Sequence, residues 1–308
     1  IETLKLFFLR PGFADETVKW RHRSGIVGKM TDVYDGEVWK NFKLNINDAL
    51  PYVDANIYNL MFTLNIDWFQ PFDNTVYSVG AIYLTIQNLP RSVRNLKKNV
   101  MLVGVIPGPH EPQTDSLNSF LKPMVDELIK LKDGICIKVH GLKNDVFVRG
   151  VLSLITCDMP ASRKVSGFMH HNAIYAYNKC DKAFGASSIP TKRDFSEFED
   201  SNWSLRTKVD NYRYAVQWRN ASDSERSRLE RLNGTRWSEL HRLDYMDIVR
   251  FTVVDPMHNL FLGIAKRMMT HWTTSPTPST CLLTSRLLLD MKKVADNLKM
   301  PYGYDAGS

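Results

Sequence analysis

Residues 59–67 read Asn-Leu-Met-Phe-Thr-Leu-Asn-Ile-Asp, and the fold is decided here. The run is apolar, bounded by polar residues and too short for a helix of ordinary length, which is the pattern of a buried strand. It ends at Asp67. Working outward, Val76 to Ile86 (VYSVGAIYLTI) is β-branched and aromatic, and predicts a second strand. Val100 to Ile106 (VMLVGVI) predicts a third, stopped by Pro107-Gly108-Pro109. Ser116 to Leu131 places Leu117, Phe120, Leu121, Met124, Val125, Leu128 and Ile129 at three- and four-residue steps, so a helix follows. Asp115 or Ser116 is placed to cap it, and Pro123 to kink it. Gly134 to Val139 and Val146 to Thr156 (VFVRGVLSLIT) read as further strands, the second running into Cys157-Asp158-Met159-Pro160.

Three strands, a helix and a further strand is the order of an RNase H-like core, in which three antiparallel strands precede a helix and the next strand joins in parallel. The expected class is therefore mixed α/β: an RNase H-like core with a central mixed sheet flanked by helices, plus a largely helical insertion. The expected division is an N-terminal segment, 1–55; the first part of the core, 56–160; a polar, helical insertion, 161–245; and a core-completing helix with a C-terminal helix, 246–308. In the first of these, Leu4 to Arg10 predicts a short helix turned by Pro11-Gly12, and Trp20-Arg21-His22-Arg23 is either a helix face with solvated charges or a phosphate contact. In the third, Ser222 to Leu232 predicts a charged helix stopped by Asn233-Gly234. In the last, Asp255 to Trp272 has helical spacing with Pro256 in the first turn, 273–281 is a Ser/Thr/Pro loop, and Leu282 to Met300 is an amphipathic helix.

Composition bounds the function. The 308 residues carry 44% hydrophobic and 24% charged residues, ordinary for a globular chain and incompatible with disorder throughout. The net charge of +7, with a pI near 9.1, suits a polyanionic partner, although a basic surface alone does not specify one. No apolar run reaches the roughly 18 residues of a membrane span. Cys136, Cys157, Cys180 and Cys281 show no metal-finger spacing, and no secretory leader opens the chain, so free thiols in a reducing compartment are expected. A start at Ile1 and a Gly-Ser end read as a piece of a longer protein.

Three aspartates border apolar elements: Asp67, Asp158 and Asp255. Phosphodiester cleavage and strand transfer need an activated oxygen nucleophile and a neutralised leaving oxygen, and two metal ions about 4 Å apart supply both. Mg²⁺ prefers oxygen ligands, so carboxylates from distant parts of the chain must converge, as strand ends and a helix start allow. Each aspartate also has a plainer explanation: a loop start at Asp67, a turn at Asp158 and a helix cap at Asp255. Spacing alone does not decide between them.

The segment Asn65-Ile66-Asp67-Trp68-Phe69-Gln70-Pro71-Phe72, followed by Tyr77-Ser78-Val79, resembles the first-aspartate segment of CACTA (En/Spm-type) DDE/D transposases. Leu102 to Pro109 with the helix ending near Leu131 is similar to the family's next block. Ile155 to Ala161 with Ser166-Gly167-Phe168 resembles its second-aspartate segment, and Asp255-Pro256-Met257-His258 resembles its Asp-x-Met-His block. The resemblance runs in order over about residues 55–272. It implies a DNA transposase that cleaves at transposon ends and joins the 3′-hydroxyl to target DNA. Asp67, Asp158 and Asp255 would be the catalytic, metal-holding acids for two Mg²⁺ (or Mn²⁺) ions, with His258 behind them. DNA is the implied partner, a homo-oligomer is compatible, a membrane is not implied, and the nucleus is the expected compartment. The alternative is a catalytically inactive, transposase-derived DNA-binding or interaction protein.

Three departures bear on this. The family's Cys-x-x-Cys pair is here Tyr177 and Cys180; one Cys with His170 and His171 is a poor tetrahedral set, so zinc is not expected. Leu260 stands where some members have a glutamate, which leaves Asp255, or an acid beyond Ser308, as third ligand. Trp68 replaces a common glycine and is expected to crowd the metal site. For DNA contact the candidates are Arg91, Arg94, Lys97 and Lys98 between the second and third strands, and Arg226, Arg228 and Arg231 on the charged helix. Arg236 and Trp237 complete the set, the indole either stacking on a base or packing its helix onto the core.

Overall fold

The computed structural model describes residues 1–187, 193–195, 203–273 and 283–297. The chain divides into two compact units, residues 1–254 and 255–308.

The first unit is a mixed α/β structure. Short helices open it: α1 (Glu2–Phe8), α2 (Phe13–Val18), α3 (Glu37–Asn41) and α4 (Tyr52–Ala55). They bury Leu4, Phe8, Phe13, Trp39 and Tyr52 in the main core. Trp20 joins that core from its edge. Arg21 donates to the carbonyls of Val53 and Asn56, and Arg23 forms a two-pronged pair with Asp35 at 2.7 Å. These arginines thus tie loops to the body of the unit, and that outcome replaces the phosphate alternative for the 20–23 cluster.

Five strands make one sheet in the order β3-β2-β1-β5-β4. They are β1 (Asn59–Phe69), β2 (Val79–Ile86), β3 (Val100–Ile106), β4 (Ile135–Ile137) and β5 (Val146–Ile155). β1 pairs antiparallel with β2, and β2 antiparallel with β3. β5 joins β1 in parallel, and the short β4 adds antiparallel on its far side. Between β2 and β3 lies α5 (Arg91–Arg94). β1 runs past Asp67, because Asp67, Trp68 and Phe69 still pair with Ala81, Gly80 and Val79.

A parallel partner needs a crossover, and α6 (Thr114–Asp133) supplies it, packing on β5. Leu117, Leu121, Met124, Val125, Leu128 and Leu131 form its buried stripe. The helix continues through Pro123. Its N-cap is Gln113, without a side-chain bond, so Asp115 and Ser116 fall inside the first turn and are not the cap.

After β5 come α7 (Met159–Ser166), α8 (Lys208–Asn220), α9 (Asp223–Asn233) and α10 (Ile248–Phe251). Gly234 takes the left-handed conformation, φ 66°, that closes α9. Ala215, Trp218, Leu229 and Trp237 form a second, smaller core between these helices.

The second unit consists of a π-helical stretch (Met257–Ala265), α11 (Lys266–Thr273) and α12 (Ser285–Asp296), capped by Thr284. Leu260, Phe261 and Ile264, which keep the expected helical spacing, are exposed. The 273–281 loop and the ends of the last predicted helix, with Cys281, lie outside the described residues apart from Thr273 and Asn297. Among the described residues no helix is long and apolar enough to cross a membrane.

Candidate active site

The site is built on one row of backbone partners. Leu64 of β1 pairs in parallel with Ile155 of β5, and Ile155 pairs in parallel with Thr252. The bonds Thr156 N–H to Leu64 O (2.9 Å) and Val253 N–H to Ile155 O (3.1 Å) hold the row together. Asp67, Asp158 and Asp255 each follow their member of this row by three residues. The segments that carry Asp67 and Asp158 therefore leave the same end of the sheet side by side; the third runs through Thr252 to the end of the first unit at Val254, and Asp255 opens the second.

Two residues that the sequence reading overlooked couple the first two segments. Asn65 donates through its side-chain amide to Thr156 O, and the buried Cys157 sulfur accepts from Ile66 N–H at 3.2 Å. A polar Asn65 inside an apolar strand was the available signal. Successive side chains on a strand alternate faces. Trp68 thus points opposite to Asp67 and lies across Gly80, where an added Cβ would meet the ring at 2.6 Å. The expected crowding of Asp67 by Trp68 is corrected by this alternation.

The three carboxylates differ. Asp67 is exposed and, among the described residues, has no hydrogen bond or ion pair. Asp158 caps α7: its Oδ1 accepts from Ala161 N–H at 2.7 Å, which leaves Oδ2 without a hydrogen bond among the described residues. Asp255 opens the second unit; its Oδ1 accepts from Met257 N–H at 2.9 Å and its Oδ2 meets His258 Nδ1. Desolvation pushes the Asp255 carboxyl up, but the bonds from His258 and Met257 outweigh it and hold the group below the ordinary carboxylate range. As a donor set, three carboxylates have the oxygen chemistry that Mg²⁺ or Mn²⁺ takes. Among the described residues no three His, Cys, Asp or Glu side chains are gathered closely enough to hold a metal ion.

The basic candidates separate by position. The turn with Arg91, Arg94, Lys97 and Lys98 follows the far end of β2, roughly 17 Å along the strand from the Asp67 pairing. Arg91, Lys97 and Lys98 are exposed there. Arg94 is buried, paired with Asp32 at 2.8 Å and bonded to Leu89 O, so it presents nothing to a phosphate, which corrects its assignment. On α9, Arg226 bonds Trp218 O and Arg219 O, Arg228 pairs with Glu225, and Arg231 is exposed. Arg236 is half-buried between Thr114 and Glu230. Trp237 is buried in the smaller core, stacked on His241 at 5.2 Å with the Arg219 guanidinium over it at 4.3 Å. Its burial against these two neighbours makes packing, and not base stacking, its role. Cys180 is buried and its backbone bridges to Leu205. The His170 and His171 rings lie 6.4 Å apart.

His241 gives this helical region a pH response. Its Nε2 contacts Asn211 Oδ1 at 3.1 Å and its Nδ1 lies against the Ser238 backbone. Burial lowers its pKa to about 4, against the opposing bond to Ser238. The unfolded chain takes up this proton near pH 6.5 while the folded chain resists it until about pH 4, so stability is complete above that window and lost as pH falls through it. Between pH 7 and pH 5 the loss should be about 2 kcal/mol. Urea midpoints at the two pH values check it, and His241→Gln should remove that part of the difference.

Comparison with known proteins gives one family. No curated protein matches the chain. The family model described as transposase family tnp2 matches residues 27–234, which include Asp67 and Asp158 and stop short of Asp255 and His258. With more than half of its length matched, and with the mixed sheet and acid-bearing strand ends described above, the chain belongs to the transposase family tnp2.

Proposed function

We propose that this chain carries the catalytic core of a cut-and-paste DNA transposase of the CACTA (En/Spm-type) group, with an RNase H-like fold. The row Leu64–Ile155–Thr252, with an aspartate three residues beyond each member, carries the reading. The sheet supports it: three antiparallel strands, a crossover helix and a strand returning in parallel beside the first. Asp67 offers both oxygens and Asp158 offers Oδ2 to divalent ions, and the resemblance makes Asp255, at the start of the second unit, the third acid. Two Mg²⁺ or Mn²⁺ ions held there would activate the attacking oxygen and neutralise the leaving 3′-oxygen. Asp158 contributes from a helix N-terminus, which favours its ionised form. His258, bonded to Asp255 Oδ2, orients that carboxylate. Exposed Arg91, Lys97, Lys98 and Arg231 are left to meet DNA phosphates.

The second reading, an inactive transposase-derived DNA-binding protein, is favoured by one observation: both Asp255 oxygens are already engaged by the start of its own helix. Asp255→Asn separates the two. If Asp255 is a ligand, Mg²⁺-dependent nicking of DNA bearing transposon ends should fall by about 100-fold or more. DNA retention and melting temperature should stay unchanged. Equal nicking by parent and variant would leave Asp255 a cap, and no cleavage with either Mg²⁺ or Mn²⁺ would favour the inactive protein.

A further inference from the structure

β3 is the outermost strand on its side of the sheet, and among the described residues nothing pairs with its outer edge. An open edge offers a row of backbone donors and acceptors to any strand that reaches it, and proteins commonly blunt such edges with charge, proline or brevity. β4, at the opposite edge, is blunted by its length of three residues. β3 is not blunted. It has seven residues, and no charged residue occurs from Asn99 to Pro109.

Its side chains are open as well. Leu102 and Val105 are each 54% exposed and Val103 is 38% exposed. A bulge accounts for the adjacent pair: Tyr83 pairs with Leu102 and Ile82 with Gly104, so Val103 is passed over. Beside the strand lies a groove of about 330 Å³, walled by Leu102, Val103, Pro123, Met124 and Leu128.

The charges at the two ends of the strand select the occupant. Lys97 and Lys98, both exposed, precede it. Glu111, also exposed, follows it; its Oε2 pairs with Lys164, and its Oε1 has no hydrogen bond among the described residues. A second copy laid antiparallel brings the lysine end of each strand to the glutamate end of the other, whereas a parallel copy would set lysine against lysine. Between these ends the contact is apolar against apolar. The strand is thus complementary to its own reversed copy, which is the condition for a closed two-fold contact.

We propose that β3 is the contact through which two copies of this chain associate, pairing antiparallel so that the sheet continues from one copy into the other. Asp67, Ala81 and Val105 lie in one row across β1, β2 and β3. The paired sheet therefore carries the Asp67 of both copies on one face, five strand spacings or roughly 24 Å apart across the strands. That consequence has a catalytic meaning only with Asp67 as an active-site acid, whereas the contact itself does not depend on it.

The test uses the 308-residue chain without metal or DNA. Sedimentation velocity over a dilution series should show a reversible monomer–dimer equilibrium. Hydrogen exchange of the β3 amides should be slower in concentrated than in dilute protein, with β1 amides unchanged. Val105→Lys should weaken association by about 100-fold or more, because it puts two uncompensated ammoniums into one contact. Leu102→Lys should do the same, and stands in if Val105→Lys does not fold. Both positions are open in the single chain, so the melting temperature of dilute protein should not move. Val209→Lys, a matching change at an exposed apolar position on α8, should leave association as it is. A chain that stays monomeric at every concentration would overturn the proposal. So would a dimer that survives both β3 lysine variants, which would place the contact elsewhere. Protection of β3 that does not vary with concentration would overturn it too, since the same molecule would then cover the strand.

Discussion

Asp67→Asn is expected to abolish Mg²⁺-dependent DNA cleavage while leaving the fold as it is. The carboxylate is exposed and bonds nothing among the described residues, so replacing one oxygen by an amide should change stability by no more than about 0.5 kcal/mol. If Asp67 is a metal ligand as proposed, removing its charge should cost more than about 100-fold, the upper range for losing a residue that merely supports a ligand. Plasmid nicking over a Mg²⁺ series, beside a thermal melt, measures both. Asp158 makes the informative contrast, because its Oδ1 also caps α7. Asp158→Asn should lose cleavage and keep the cap, whereas Asp158→Ala should lose cleavage and about 1 kcal/mol of stability. Cleavage that survives Asp67→Asn would remove the parallel strand ends from the chemistry.

Arg206→Met should produce the largest loss of stability. The guanidinium is buried beneath Gly234 and bonds the carbonyls of Tyr177, Cys180 and Asn233, with Asp181 3.3 Å away. Methionine fills part of the space and supplies no donor. Buried acceptors left without partners cost about 1–3 kcal/mol each, and some will find water, so a loss of about 3 kcal/mol is expected. Urea unfolding followed by tryptophan fluorescence, with Trp218 and Trp237 in the adjoining core, reports it. A change below about 1 kcal/mol would mean that water replaces the guanidinium without penalty.

How far the sequence could be read depended on how local the deciding force was. β3 occupies the predicted residues, Val100–Ile106, because an apolar run stopped by Pro-Gly-Pro has one plausible fate. α6 extends the predicted helix by two residues at each end, since helix periodicity marks the face better than the limits. Arg94 was misread because its partner, Asp32, is distant in the chain, and no local pattern announces a long-range ion pair. The placement of Asp67 and Asp158 beside strand ends was visible in the apolar runs. The common three-residue offset was not, because it depends on the pairing Ile155–Thr252, a single bridge outside any regular strand. Trp237 carried two readings, and only its contacts with His241 and Arg219 chose between them.

The indole of Trp68 lying over Gly80 has a consequence for how this protein can change. Positions 68 and 80 are twelve apart in the chain but form one unit of substitution, since a side chain at 80 would occupy the space of the ring. While tryptophan stays at 68, even alanine at 80 is closed off. With glycine at 68, position 80 is released. Mutational routes through this corner of the sheet therefore have a required order, and the same alanine is harmful or harmless according to what was replaced first.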